Sequence, residues 1–298
     1  PSKTNYSLLT SVAGDPQGKD CSFVNKFPVM IYVHGITTDR TSSLGIGTKM
    51  ALNCFVTVAI DLPLHGVAPL ADNRNGIAAD NPFLVFNVEH GPFADAIENM
   101  EDAEAFGNLA ERHNNIASQT GTNARVPMDF DGTVGADGTD GTPALGHSGA
   151  HFINLGNMGR LRDSMRQAVV DLMHLNATLG SIDVTGDGTP DLDTSKVYLS
   201  GNSLGGIVGA TFVAVNNDPE VQRVNGLSNG GALPKIQAVV LASPGASLPK
   251  MLENSPAIAP RILAGLKLPQ DSVSLQKYES MLQAALNSVD PINFASTL

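Results

Sequence analysis

Residues 197–206 read Val-Tyr-Leu-Ser-Gly-Asn-Ser-Leu-Gly-Gly, and within them Gly201-Asn202-Ser203-Leu204-Gly205 fits the pattern G-x-S-x-G. A serine hydroxyl is a weak nucleophile in water, and this spacing is one way to strengthen it. A β-branched run, a very tight bend and an apolar helix hold the serine in a strained backbone conformation that pushes its hydroxyl outward. Side chains two places before and two places after Ser203 would collide across such a bend, so both positions are glycine. Gly206, Gly209 and Ala210 let the following helix approach the sheet, and its N-terminus aims partial positive charge at a developing oxyanion. The chemistry this predicts is acyl transfer through Ser203.

Stabilising the oxyanion takes a second main-chain donor. Val29-Met30-Ile31-Tyr32-Val33 runs into His34-Gly35-Ile36-Thr37. The N–H of Ile36 at that strand end, with the N–H of Leu204, is the expected oxyanion pair; a plain strand-end turn is the alternative. Asp61-Leu62-Pro63-Leu64-His65-Gly66 resembles a structural turn of hydrolases, in which His65 anchors a loop and is not the base.

Ser203 also needs a histidine base and an acid to orient it. All seven histidines (34, 65, 90, 113, 147, 151 and 174) precede Ser203, whereas the order in this fold is serine, acid, histidine. Asp218, Asp271 and Asp290 follow the serine, but none follows a recognisable strand. The acid and histidine are therefore not found in this chain, and the expectation is that it stops before the strands that deliver them. His151, from the segment before the elbow, is the alternative base.

The elements that must position these groups are four β-runs, 29–33, 55–60, 197–200 and 236–241. None alternates strictly, as suits a parallel sheet covered on both faces. Helical periodicity is clearest over 157–178, with Leu161, Met165, Ala168 and Leu172 on one face and Arg160, Arg162, Asp163, Arg166 and Asp171 on the other. Helices are also expected over 203–215 and 275–287. The alternation predicts one α/β domain spanning 1–298. The stretch 67–150 is too long for a simple connection; it carries an acidic helical pattern over 94–112 and reads as a lid-like insertion or a surface loop.

The composition narrows the partner. Eighteen Lys and Arg against 29 Asp and Glu give a net charge of −11, which repels nucleic acid and anionic membrane. No apolar run reaches the roughly 18 residues of a membrane span. A small or neutral molecule is expected. Cys21 and Cys54 could form one disulfide in an exported protein or stand as two separate thiols.

One further cluster could hold a metal. Asp183, Thr185, Asp187, Thr189 and Asp191 place oxygens at alternate positions around Gly186 and Gly188, like the first half of a calcium loop. No glutamate stands at the twelfth position, which is Thr194, and a plain Asp-Gly turn is the alternative. A bound calcium would stiffen the approach to the elbow strand without joining the chemistry, so no cofactor is required for the reaction. Zinc at His147 and His151 is not expected, because that segment is not evidently helical.

Several blocks together resemble a family: Val33-His34-Gly35-Ile36-Thr37, Ser148-Gly149-Ala150-His151-Phe152-Ile153-Asn154-Leu155, Arg162-Asp163-Ser164-Met165-Arg166-Gln167, the Asp-Gly-rich loop before the elbow, and Gly201 to Gly209. They look like the extracellular lipases and lysophospholipases, often lipoproteins, of aquatic Gram-negative bacteria, within the α/β-hydrolase superfamily. The resemblance covers about residues 25–245. It implies a secreted or outer-membrane surface protein that hydrolyses lipid esters through an acyl-serine intermediate, with peripheral lipid contact and a further C-terminal fragment of the same protein as partner. Asn202 departs from the family, which more often has histidine there. A lipid acyltransferase, a peptidase on the same scaffold, and a non-catalytic calcium-dependent binding module are the rival readings.

Overall fold

The computed structural model describes residues 8–11, 21, 24–67, 112, 148–149, 152–229, 231–256 and 258–298. Five strands form one sheet: β1 (Leu8–Ser11), β2 (Phe27–Val33), β3 (Val56–Ile60), β4 (Leu192–Asn202) and β5 (Ile236–Ala242), in the order β1-β3-β2-β4-β5. Strands β2 to β5 are mutually parallel, and β1 joins the edge of β3 antiparallel. The four predicted β-runs are thus the four parallel strands. β1 was not anticipated. The α/β architecture with a mainly parallel sheet is the one expected.

Seven α-helices accompany the described strands: α1 (Leu44–Ala51), α2 (Met158–Thr178), α3 (Leu204–Asn217), α4 (Pro219–Asn229), α5 (Leu248–Asn254), α6 (Ala259–Leu266) and α7 (Val273–Leu286). α2 starts where Asn157 accepts the main-chain N–H of Arg160, a side-chain cap for the first turn. Its Leu161, Met165, Ala168 and Leu172 are buried as the periodicity requires. α3 is buried on nearly every side, because it lies between the sheet and α2. Among the described residues, no helix is long and apolar enough to cross a membrane.

The position of Asp171 differs from the expectation that it faces outward. It is buried, and its carboxylate takes 2.6 Å bonds from the Arg112 guanidinium and the Gln167 amide. Arg112 also donates to the carbonyl of Asp61 at 2.6 Å, and the Asp61 carboxylate pairs with Arg40. Each buried charge therefore has an opposite partner, without which burial would cost several kcal/mol. Arg112 is the one described residue in 68–147, and its guanidinium bridges the end of β3 and α2. The remainder of the expected acidic helix and lid, with His90, His113, His147 and His151, lies outside the described residues.

Cys21 and Cys54 form a disulfide, with Cα atoms 5.7 Å apart. It fastens the approach to β2 to the turn before β3. After β5, the described residues contain helices and short 3-10 turns but no further strand.

Candidate active site

The chain runs from β2 outward to β3, then crosses back to place β4 on the other side of β2. That reversal makes the carboxyl ends of β2 and β4 the switch point of the topology, which is where open parallel sheets bind ligands. The four parallel strands converge there with unusual backbone. Thr37, after β2, has φ +66°; Leu64, after β3, +61°; Ser203, after β4, +51°; and Ser243, after β5, +49°. Positive φ in a residue with a side chain costs about 1–3 kcal/mol and persists where surrounding structure enforces it.

Ser203 pairs its positive φ with ψ −117°, outside the ordinary left-handed helical region. Its N–H donates to the carbonyl of Ala242 at 2.8 Å, and its carbonyl accepts from Gly206 at 2.8 Å and Ile207 at 3.1 Å. The bend is thus bonded to β5 on one side and to the first turn of α3 on the other. The neighbouring glycines are required by space. A Cβ on Gly201 would fall 2.4 Å from the carbonyl oxygen of Gly205, and one on Gly205 would fall 2.1 Å from that of Val33. The second contact fixes how closely α3 approaches β2.

That close approach brings the turn after β2 against the elbow. A Cβ on Gly35 would lie 3.4 Å from Ser203 Cβ, so the turn bearing Ile36 borders the elbow. Ile36 and Ser203 are half-buried, Leu204 is buried, and Asn202 is exposed beside the serine. Among the described residues, the N–H groups of Ile36 and Leu204 donate to no main-chain acceptor. For Leu204 the reason is general: the first amides of a helix have no intrahelical partner. The site therefore offers a half-buried serine beside the first amide of α3 and the turn that carries Ile36.

The described histidines do other work. His34 is fully buried, with Nδ1–H donating to the carbonyl of Gly35 at 2.8 Å and Nε2 accepting from the N–H of Leu62 at 3.0 Å. Burial lowers its pKa to about 4, so the ring is neutral and ties the end of β2 to the end of β3. His65 is also buried; its Nδ1 meets the carbonyl of Pro63 at 2.8 Å, and Gly149 lies flat on its ring. This is the loop-anchoring place read from the sequence. His174 is exposed on α2. Among the described residues, no histidine is bonded to the Ser203 hydroxyl. Asp290 is fully buried and accepts the N–H groups of Ser247 and Leu248 at 2.9 and 2.7 Å, which places it at the start of α5.

At the opposite end of β4, Asp183, Asp187 and Asp191 converge, each with an oxygen within 4.8 Å of the others. Calcium binds oxygens at about 2.3–2.6 Å, so ligands on one ion lie up to about 5 Å apart, and the three carboxylates fit that limit. Thr185 Oγ1 turns inward, 3.4 Å from Asp183 and 3.5 Å from Asp191, whereas Thr189 donates its N–H to Asp187 at 2.8 Å. The N–H groups of Gly188 and then Gly186 hold the Asp183 carboxyl below the usual range.

Sequence reasoning missed the Arg40–Asp61 and Arg112–Asp171 pairs, and the docking of Ser148 against the ends of β2 and β3. The Asp61 turn and the block beginning at Ser148 were the available signals, but neither reveals its partner.

No family model and no curated protein matches the chain. Among solved structures it is similar to acetyl xylan esterase 1 from a Thermoanaerobacterium species, with a TM-score of 0.44 and 14% identity over 92% of this chain and 57% of that one. It is similar to a lipase/esterase from Lactobacillus plantarum, with a TM-score of 0.41 and 12% identity over 97% and 69%. An acetyl xylan esterase from Paenibacillus sp. R4 gives 0.42 and 13% over 95% and 59%. The chain thus spans between 57% and 69% of the length of these three proteins. Overlaps this loose decide no chemistry, which rests on the strand order and the elbow.

Proposed function

We propose that the chain is the nucleophile-bearing core of an α/β-hydrolase serine esterase that acts on lipid-like carboxylic esters. The observation that carries this is Ser203, held at φ +51° at the end of β4 and bordered by the Gly35–Ile36 turn. Its hydroxyl attacks the ester carbonyl, and the N–H groups of Ile36 and Leu204 receive the oxyanion. The base takes the Ser203 proton and returns it to the leaving oxygen as the tetrahedral intermediate collapses, so the alcohol departs and an acyl-serine remains, which water then hydrolyses. The base and acid come from outside the described residues, in a further segment of the same protein or from the stretch before α2. An extracellular setting is supported by the Cys21–Cys54 disulfide, since such bonds persist in oxidising compartments. We place structural calcium at Asp183, Asp187 and Asp191.

Labelling of the whole protein, with the segment that supplies the base, by a fluorophosphonate followed by peptide mass mapping tests the reading. The expected result is a single adduct on Ser203 that disappears in Ser203→Ala. A wild-type serine that stays unmodified overturns the hydrolase and favours a binding module that keeps the elbow shape.

A further inference from the structure

An amide can stabilise an oxyanion only if it points at it, and the direction of the Ile36 N–H is set by the peptide it shares with the Gly35 carbonyl. In a planar trans peptide these two groups point opposite ways. The Gly35 carbonyl accepts three bonds, from His34 Nδ1–H at 2.8 Å, Thr38 Oγ1–H at 2.8 Å and Thr38 N–H at 3.4 Å. Two of the three bonds come from Thr38, so its position, together with the buried His34 ring, sets the aim of Ile36.

Thr38 is held from far along the chain. Ser148 Oγ donates to the Thr38 carbonyl at 2.7 Å and accepts the N–H of Gly66 at 3.1 Å, across 110 and 82 residues of sequence. Its hydroxyl is thus used in both directions, joining the turn after β2 to the turn after β3, and Ser148 is 5% exposed. The neighbouring contacts leave it little freedom. Gly149 donates its N–H to the Leu64 carbonyl at 2.9 Å, and at φ +76° it lies so close to the His65 ring that a Cβ would fall 2.0 Å from Nε2. Phe152 closes the stack, its N–H on the Gly149 carbonyl at 2.9 Å and its ring 5.4 Å from His65.

We propose that Ser148 is a positioning residue for the oxyanion donor, a hydroxyl clamp that orients the Ile36 N–H through Thr38. The inference rests on the esterase reading for its catalytic consequence and on geometry alone for the clamp. Removing one oxyanion donor outright costs roughly 10²–10³ in kcat. Loosening the turn that aims it costs part of that, so Ser148→Ala is expected to lower kcat by about tenfold or more. KM stays unchanged, because the donor acts on the transition state.

The test uses the whole protein, with the segment that supplies the base, as wild type, Ser148→Ala and Ser148→Thr. Fluorophosphonate labelling is read as a rate per titratable Ser203, so that loss of folded protein does not count as loss of rate. Amide hydrogen exchange is followed over residues 34–38. The expected result is slower labelling and faster exchange in Ser148→Ala, with both restored by the threonine hydroxyl. Unchanged exchange in Ser148→Ala overturns the clamp. Faster exchange with an unchanged labelling rate overturns the positioning role. A wild-type serine that never labels overturns the esterase reading and this catalytic consequence together, while exchange still decides the clamp.

Discussion

Strand β4 is entered through the turn at 183–191 and left through the bend at 201–205, and both reverse the chain within a few residues. In the first, positive φ falls on Gly186 and Gly188, where a Cβ would meet nothing within 4 Å. In the second, positive φ falls on Ser203, while the neighbouring glycines sit at contacts where a Cβ would collide with backbone. The first turn uses glycine for conformational freedom, the second for space. A bend that places its strain on a side-chain-bearing residue and keeps its glycines for close packing is organised around that side chain.

The contrast can be broken most decisively at the serine. Ser203→Ala is expected to abolish labelling and lower ester hydrolysis by more than about 10³-fold, since no other group replaces the nucleophile. Ser203→Gly is expected to be equally inactive yet more stable by about 1 kcal/mol in urea unfolding, because glycine adopts the same backbone without strain. A destabilised Ser203→Gly protein would contradict the claim that strain resides there.

The next effect is on packing. Gly205→Ala is expected to cost about 3 kcal/mol or more, because its methyl group meets the rigid carbonyl of Val33. Gly186→Ala is expected to cost only about 1 kcal/mol, from φ alone. Equal losses in the two variants, measured by urea unfolding, would erase the distinction between the bends.

His34 supplies a pH signature of the cleft. Its folded pKa of about 4 lies below the ordinary 6.5. Between those values the unfolded chain binds a proton that the folded chain does not, so stability rises with pH across that window and gains nothing from His34 outside it. The gain is at most ~3 kcal/mol, and His34→Gln is expected to lose that slope. A slope unchanged by the substitution would mean that other groups carry it.

The smallest effect belongs to the acidic turn. Excess calcium is expected to raise Tm by a few degrees relative to EDTA in wild type and not in Asp187→Asn. The same Tm in both buffers would leave the turn closed by its own Asp–amide bonds.

Much of the cleft was legible in sequence because its signals are local. Gly201 to Gly205 declare a bend by composition, and Val33-His34-Gly35 marks a strand end. Four β-runs were legible because each is nearly continuously apolar, even β5, where Ile236 alone is buried. The four-residue β1 had no such pattern, and its pairing with β3 is non-local. Asp171 was assigned to the solvent face because helical periodicity cannot foresee Arg112 arriving from 59 residues away. The positive φ values at Thr37, Leu64 and Ser243 were illegible, since residues other than glycine do not advertise them. The role of Ser148 is illegible in sequence, because nothing near it in the chain points to Thr38 or Gly66.

The most direct test of the central claim is a crystal structure of the Ser203 phosphonate adduct. The account predicts the phosphoryl oxygen within about 2.7–3.1 Å of the main-chain nitrogens of both Ile36 and Leu204. A phosphoryl oxygen directed away from both amides, or held by neither, would contradict it.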